Sequence, residues 1–234
     1  MSERYYSQFG QDKWIIKIFK NKTDGFYVDI GANDGMTFSN TKKLEELGWK
    51  GICVEPDPEV FEKLDNIRKS DNYNIAIGDK EGEGEFTKIT GKSQMLSGLS
   101  DKYEDEHIER IQREINQNKG KIEKIRVEIH TFDWLFVRYP DIRTIDFLSV
   151  DTEGGEESII KSIDFNSYTI NTIAVENNYK DDSIRRILTE RGYDYLKCKG
   201  DDIFILRSFY RITVTDRIIN FCERVADKLY RMLH

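Results

Sequence analysis

Short apolar runs, each stopped by polar or acidic residues and separated by a helical pattern, constrain this chain more than any other feature. "GFYVDI" (25–30) runs into "GANDG", "KGICVEP" (50–56) stops at Pro56, and "YNIAIGD" (73–79) stops at Asp79. Between them lie the helical patterns "SNTKKLEELG" (39–48), closed by Gly48, and "PEVFEKLDNIRK" (58–69). A strand–helix–strand–helix–strand rhythm at this spacing predicts a parallel sheet with right-handed crossovers. An amphipathic helix, 11–20, precedes it. The rhythm resumes later with "IDFLSV" (145–150), a helix from about 155, "INTIAVE" (170–176) and a helix over 181–192.

Between the two halves the rhythm breaks. Residues 82–90 read as a small extra strand, and 122–132 as a strand of alternating polarity followed by a short helix, 132–139. The polar stretch 91–121 is an insertion whose second half is a charged helix. Insertions of this kind often carry substrate contacts or a lid. Two strands around Lys199 and Gly200 form a hairpin over 193–207, and the tail 211–234 reads as an amphipathic helix packed on the domain or in a dimer contact. The chain divides into a main domain, 1–210, and that tail.

Glycines at the first strand end allow close approach of backbone to a ligand, at the place where α/β sheets bind nucleotides. The spacing is not G-x-G-x-x-G, and Asp34 inside the loop opposes a pyrophosphate. Asp29 suits a ligand with an ammonium group. Glu55, at the next strand end, can accept from both ribose hydroxyls. Together they point to an adenosine with an amino-acid tail and no phosphate: S-adenosylmethionine. Fragments of GTPase motifs fail on order, because Asn21-Lys-Thr-Asp24 precedes Asp151-Thr-Glu-Gly154, and Gly91-Lys-Ser93 lacks the glycine needed at Phe86.

Two late strands end in polar clusters. Asp151, Glu176 and Asn177 are hard oxygen ligands suited to Mg²⁺ or Mn²⁺, and Glu153 is a candidate base. Capping of the next helix is the competing reading, and Glu156 fits a first helical turn better than a ligand role. His107 is either a solvated residue of the charged insertion helix or a lid histidine that reaches the acceptor; His130 reads as structural. Met95, Leu96 and Leu99 with Ser97 are candidates for a substrate mouth, and an ordered crossing loop is the competing reading.

"YSQFGQD", "FYVDIGANDG", "SNTKKLEELGWKGICVEPDP", "IDFLSVDTEGGE" and "AVENN" together resemble the FkbM family of S-adenosylmethionine-dependent methyltransferases, over roughly residues 5–207. The resemblance implies a seven-stranded class I (Rossmann-like) α/β fold ending in a hairpin, and O-methylation of a sugar or other small-molecule hydroxyl. It implies a loop of Asp29, Gly31, Asn33 and Gly35 at the methionine end, Glu55 on the ribose, and Pro56 and Ala76 at the adenine. It also implies Ser7 and Gln8 in an N-terminal lid and Asn40 facing the cofactor. The acid layout is similar to metal-dependent enzymes such as catechol O-methyltransferase. A non-catalytic cofactor-binding homologue remains the alternative from another class.

A net charge of −7 opposes broad nucleic-acid binding. Cys53, Cys198 and Cys222 form no C-x-x-C, and no apolar run approaches the ~20 residues of a membrane span. The expected location is cytoplasmic, with no transmembrane segment.

Overall fold

The computed structural model describes residues 4–103, 105–118, 120–177, 182–197 and 200–217. The chain enters through α1 (Gln11–Ile18) and continues into β1 (Phe26–Ile30), α2 (Lys42–Glu46), β2 (Lys50–Val54), α3 (Pro58–Ile67) and β3 (Asp71–Tyr73). It then leaves the sheet for β4 (Ala76–Gly78), β5 (Gly82–Ile89), β6 (Gly98–Leu99), α4 (Asp105–Asn118) and β7 (Ile122–Thr131). It returns through α5 (Phe132–Phe136), β8 (Thr144–Val150), α6 (Glu156–Ser162), β9 (Thr169–Glu176), α7 (Ser183–Glu190) and the hairpin β10 (Tyr193–Lys197) and β11 (Asp201–Leu206).

The main sheet has seven strands in the order β10-β11-β9-β8-β1-β2-β3. Strands β3, β2, β1, β8 and β9 are parallel, while β11 runs antiparallel to β9 and to β10. The order reverses between β1 and β8, so the carboxyl ends of these two strands open a crevice. Alternate residues of each strand feed opposite faces. Val28, Ile30, Ile52, Leu148 and Ile173 pack with Phe132, Ile159 and Leu188 on one side. Tyr27, Cys53, Phe147 and Ala174 pack with Trp14, Leu44 and Leu64 on the other. Both faces are covered, and β8 and β9 are buried nearly throughout.

One expectation needs correction. The run 73–79 is not one strand of the main sheet. Tyr73 ends β3 there, and Ala76 begins β4 in a second sheet of order β4-β7-β5-β6. Asn74 makes the break, because its Nδ2 donates to the carbonyls of Glu55 (2.8 Å) and Pro56 (3.0 Å), so a side chain takes over where ladder bonds would have continued. The strands flanking the insertion are also partners of each other. They form an antiparallel ladder from Gly82↔Ile129 to Ile89↔Ile122, and 91–121 is suspended from its end.

After the hairpin, Phe209 stacks on Phe19 at 4.7 Å and so ties the following residues to α1. Most of the expected tail helix, 218–234, lies outside the described residues, as does Cys198. No helix among the described residues is long and apolar enough to cross a membrane. Asn74→Ala removes both bonds at the junction of the sheets. It should lower the unfolding free energy by about 1–3 kcal/mol, read from urea titration.

Candidate active site

A cleft of about 990 Å³, counted to its open mouth, lies across the carboxyl ends of β1, β2 and β8. Asp29, Gly31, Asn33, Asn40, Glu55, Pro56 and Ala76 line one part of it, and Asp151, Thr152 and Glu153 another. Met95, Ser97 and Leu99 of the insertion and Phe86 of β5 close it from above.

Gly31 holds the two parts together. Its backbone is left-handed (φ +83°), and a Cβ there would overlap the carbonyl oxygen of Asp151. Asp151 N donates to Ile30 O at 2.9 Å, closing the seam between the strand ends. Gly35 serves packing instead, since a Cβ on it would stand 2.7 Å from Arg68 Cγ and Leu64 Cδ1, and it is not among the residues lining the cleft. Gln8 is exposed and also outside the lining. Ser7 meets the cleft only indirectly, through a bridge to the backbone of Phe38, itself a lining residue.

Asp29 is buried, with 4% of its surface exposed. Thr41 Oγ1 donates to its Oδ2 at 2.5 Å. Burial pushes its carboxyl up; Arg68, Thr41 and Ser149 pull it back. Asn40 Nδ2 donates to Ser149 Oγ (3.1 Å), while its buried Oδ1 has no partner. An acceptor left bare beside a buried carboxylate fits an ammonium group, which brings three donors and no acceptor.

Glu55 accepts from the backbone N–H of Asn33 (3.0 Å) and of Asp57 (2.9 Å), which fixes its carboxylate at the end of β2. Burial raises it to about 7. Pro56, Val60, Ala76 and Ile77 form an apolar slot next to it. These features fit an adenosine.

On the other wall Asp151 and Glu153 meet Glu176, which is not itself among the lining residues, and the three bring one carboxylate oxygen each to within 4.8 Å of one another. Glu153 reaches the group because the chain turns sharply, with φ +56° at Glu153 and +129° at Gly154. Burial, then Asp151, raises Glu153 to about 8; burial, then Glu153, does the same to Glu176. Asp151 is pushed well above the usual carboxylate range by burial and by Glu176. Asp201, opposite Glu176 in the β11–β9 register, adds charge and is itself raised to about 6 by burial. The donor set is hard and anionic and suits Mg²⁺ or Mn²⁺.

Of the expected ligands, Asp151 and Glu176 stand together with Glu153, the expected base, beside them, and Asn177 Nδ2 donates to Asp202 Oδ2 at 2.7 Å. Glu156 is a loop brace, as its first-turn position suggested, accepting from Thr152 N (2.8 Å), Thr152 Oγ1 (2.9 Å) and Gly154 N (3.0 Å). Sequence reasoning did not find Arg110, which extends from α4 to Glu153 (3.7 Å) and so places the insertion helix over the acids. His107 lies three residues before Arg110 on α4; its side chain is outside the described atoms. His130 is braced by Glu81 (2.5 Å) and stacked on Trp134, away from the cleft lining.

A family model described as the methyltransferase FkbM domain matches residues 29–195, more than half of the chain. The chain belongs to the FkbM methyltransferase family. Methyltransferase sdnD of Sordaria araneosa is 25% identical over 198 residues, covering 75% of this chain and 76% of that relative. Two solved structures are also similar. Precorrin-6y C5,15-methyltransferase from Geobacter metallireducens is 13% identical, with 83% of this chain and 84% of that chain covered at a TM-score of 0.41. A TehB-like SAM-dependent methyltransferase from Corynebacterium glutamicum is 8% identical, with 86% and 89% covered at a TM-score of 0.42. As a member of the FkbM family with this sheet, the protein is an S-adenosylmethionine-dependent methyltransferase, and its cofactor is S-adenosylmethionine.

The raised carboxyls make the FkbM domain's stability depend on pH. Glu55, Glu153 and Glu176 hold protons when folded at pH values where the unfolded chain, with carboxyls near ~4.3, has released them. Their contribution is full below the unfolded pKa and is lost as pH rises through about 7 to 8. The thermal midpoint of the ligand-free protein should therefore fall between roughly pH 5.5 and 8.5, and Glu153→Gln should flatten that fall. A midpoint that climbs across this range would contradict the assignment.

Proposed function

We propose that this methyltransferase acts on a hydroxyl oxygen of a sugar or other hydroxylated small molecule, with a divalent cation at the acid cluster. The observation that carries the reading is the position of Asp151 and Glu153, joined by Glu176, across the cleft from Asp29, Asn40 and Glu55. In this reading Asp29 and Asn40 take the cofactor's ammonium, Glu55 its ribose, and Pro56 and Ala76 its adenine. Gly31 and Asn33 give it a close backbone wall, and Ser7 and Gln8 belong to a flap outside it.

S-adenosylmethionine supplies a methyl group on a sulfonium, which an oxygen displaces in line. An alcohol must lose its proton as the new bond forms, so the site needs a base and a means of acidifying the hydroxyl. A bound divalent cation would lower the hydroxyl's pKa. Asp151 and Glu176 are assigned to hold it, and Glu153 to accept the proton. Arg110 stands beside Glu153 on the acceptor side, and His107 is assigned to the same lid. A sugar acceptor is supported by family likeness; Met95 and Phe38, both exposed at the cleft, supply apolar surface against which a ring can lie. A cation-free base is the second reading, favoured by the raised proton affinity of Glu153.

Calorimetric titration with S-adenosylhomocysteine tests the cofactor wall. Asp29→Ala and Glu55→Ala should each weaken binding about tenfold or more, the size of one charge-assisted contact. No binding by the wild type would end the reading. Methyl transfer to a panel of methyl glycosides and catechols tests the chemistry. Chelation should abolish turnover and Mn²⁺ restore it, whereas turnover that survives chelation selects the cation-free base. Glu153→Gln should lower kcat by about 10²–10⁴ with cofactor affinity unchanged.

A further inference from the structure

Arg68 follows α3, and its side chain is fully enclosed. A guanidinium offers five N–H donors, and each has an acceptor here. Nε donates to Glu45 Oε2 (3.0 Å), Nη1 to Gly35 O (3.3 Å) and Ser39 Oγ (3.4 Å), and Nη2 to Tyr27 OH (2.8 Å) and Thr41 Oγ1 (2.9 Å). Four of these partners lie between Gly35 and Glu45, so one side chain holds the whole segment that leads from the glycine loop into α2.

The contact to Thr41 has a directional consequence. Its hydroxyl has a single hydrogen. With an Arg68 N–H on its oxygen, that hydrogen goes to Asp29 Oδ2, 2.5 Å away. Asn40 Nδ2 donates to Ser149 Oγ, and Ser149 is the register partner of Asp29 on β8. The Thr41 hydroxyl is thus what fixes Asp29 Oδ2. Among the described residues no ion pair reaches it directly, and Arg68 acts on it across Thr41.

We propose that Arg68 is a positioning residue for the amino-acid end of S-adenosylmethionine, acting through Thr41 to aim the Asp29 carboxylate at the cofactor's ammonium. The inference rests on the assignment of Asp29 made above and extends it to a residue outside the cleft. A guanidinium is required because only a planar fork reaches Gly35, Ser39, Thr41, Tyr27 and Glu45 together; a lysine ammonium has three donors on one atom.

Two ligands separate this role from simple packing. S-adenosylhomocysteine carries the amino-acid tail, and 5′-methylthioadenosine presents the same nucleoside without it. Both are titrated calorimetrically into full-length wild type, Arg68→Lys and Thr41→Val, with thermal midpoints recorded in parallel. Both variants should weaken S-adenosylhomocysteine about tenfold while leaving 5′-methylthioadenosine within about twofold, as expected for loss of one charge-assisted contact. Equal losses for the two ligands, or no loss for either, would make Arg68 a packing residue and overturn the proposal. Thr41→Val leaves Arg68 in place, so it decides the matter should Arg68→Lys fail to fold. Wild type that binds 5′-methylthioadenosine but not S-adenosylhomocysteine removes the Asp29 assignment and this proposal together. Wild type that binds both, with unaffected variants, removes this proposal alone.

Discussion

The carbonyl of Asp151 occupies the space a side chain at position 31 would need, and the rest of the site depends on that approach. It joins the ends of β1 and β8 closely enough for Asp151 N to bond Ile30 O. From this seam the chain diverges twice. One branch runs through Asn33 to the segment pinned by Arg68. The other turns at Glu153 and Gly154, both at positive φ, and carries Glu153 back toward Asp151. Two clusters of opposite task therefore share one backbone contact. Any larger residue at 31 would separate them before it disturbed either.

Electrostatics gives the cleft its character. Asp29, Glu55, Asp201 and Glu153 are each at most 8% exposed, and their ionised forms are costly there. Arg68 compensates Asp29 at one remove, and Arg110 lies 3.7 Å from Glu153. The remaining deficit is met by backbone N–H groups at Glu55 and by protons at the acid cluster. A cleft in this condition favours positively charged occupants, whether a sulfonium, an ammonium or a metal ion.

Much of this was legible in the sequence. Apolar runs stopped by Asp29, Glu55 and Asp151 located three strand ends, because buried parallel strands have no polar face to confuse the pattern. The motifs shared with the FkbM family then implied a seven-stranded sheet ending in a hairpin. What could not be read was pairing at a distance. Nothing local says that 82–90 and 122–132 form one ladder, or that Asn74 ends a strand with its side chain. Arg68 was equally hidden: on sequence it is a charged residue at a helix end, and its value comes from acceptors contributed by two other segments, β1 and residues 35–45. The approach of Glu153 to Asp151 and Glu176 has the same origin, since the turn at Glu153 and Gly154 decides which oxygens converge.

The ladder between β5 and β7 has a consequence for how such enzymes diversify. Residues 91–121 leave and re-enter at one rung, Ile89↔Ile122, so their length does not affect the register of the main sheet. Met95, Ser97 and Arg110 lie within that excursion, and Leu99 is pinned partway along it by pairing with Phe86 of β5. The wall that closes the cleft from above is thus carried by a hairpin excursion outside the main sheet, so its length can change without altering the pairing of the strands that carry Asp29 and Glu55.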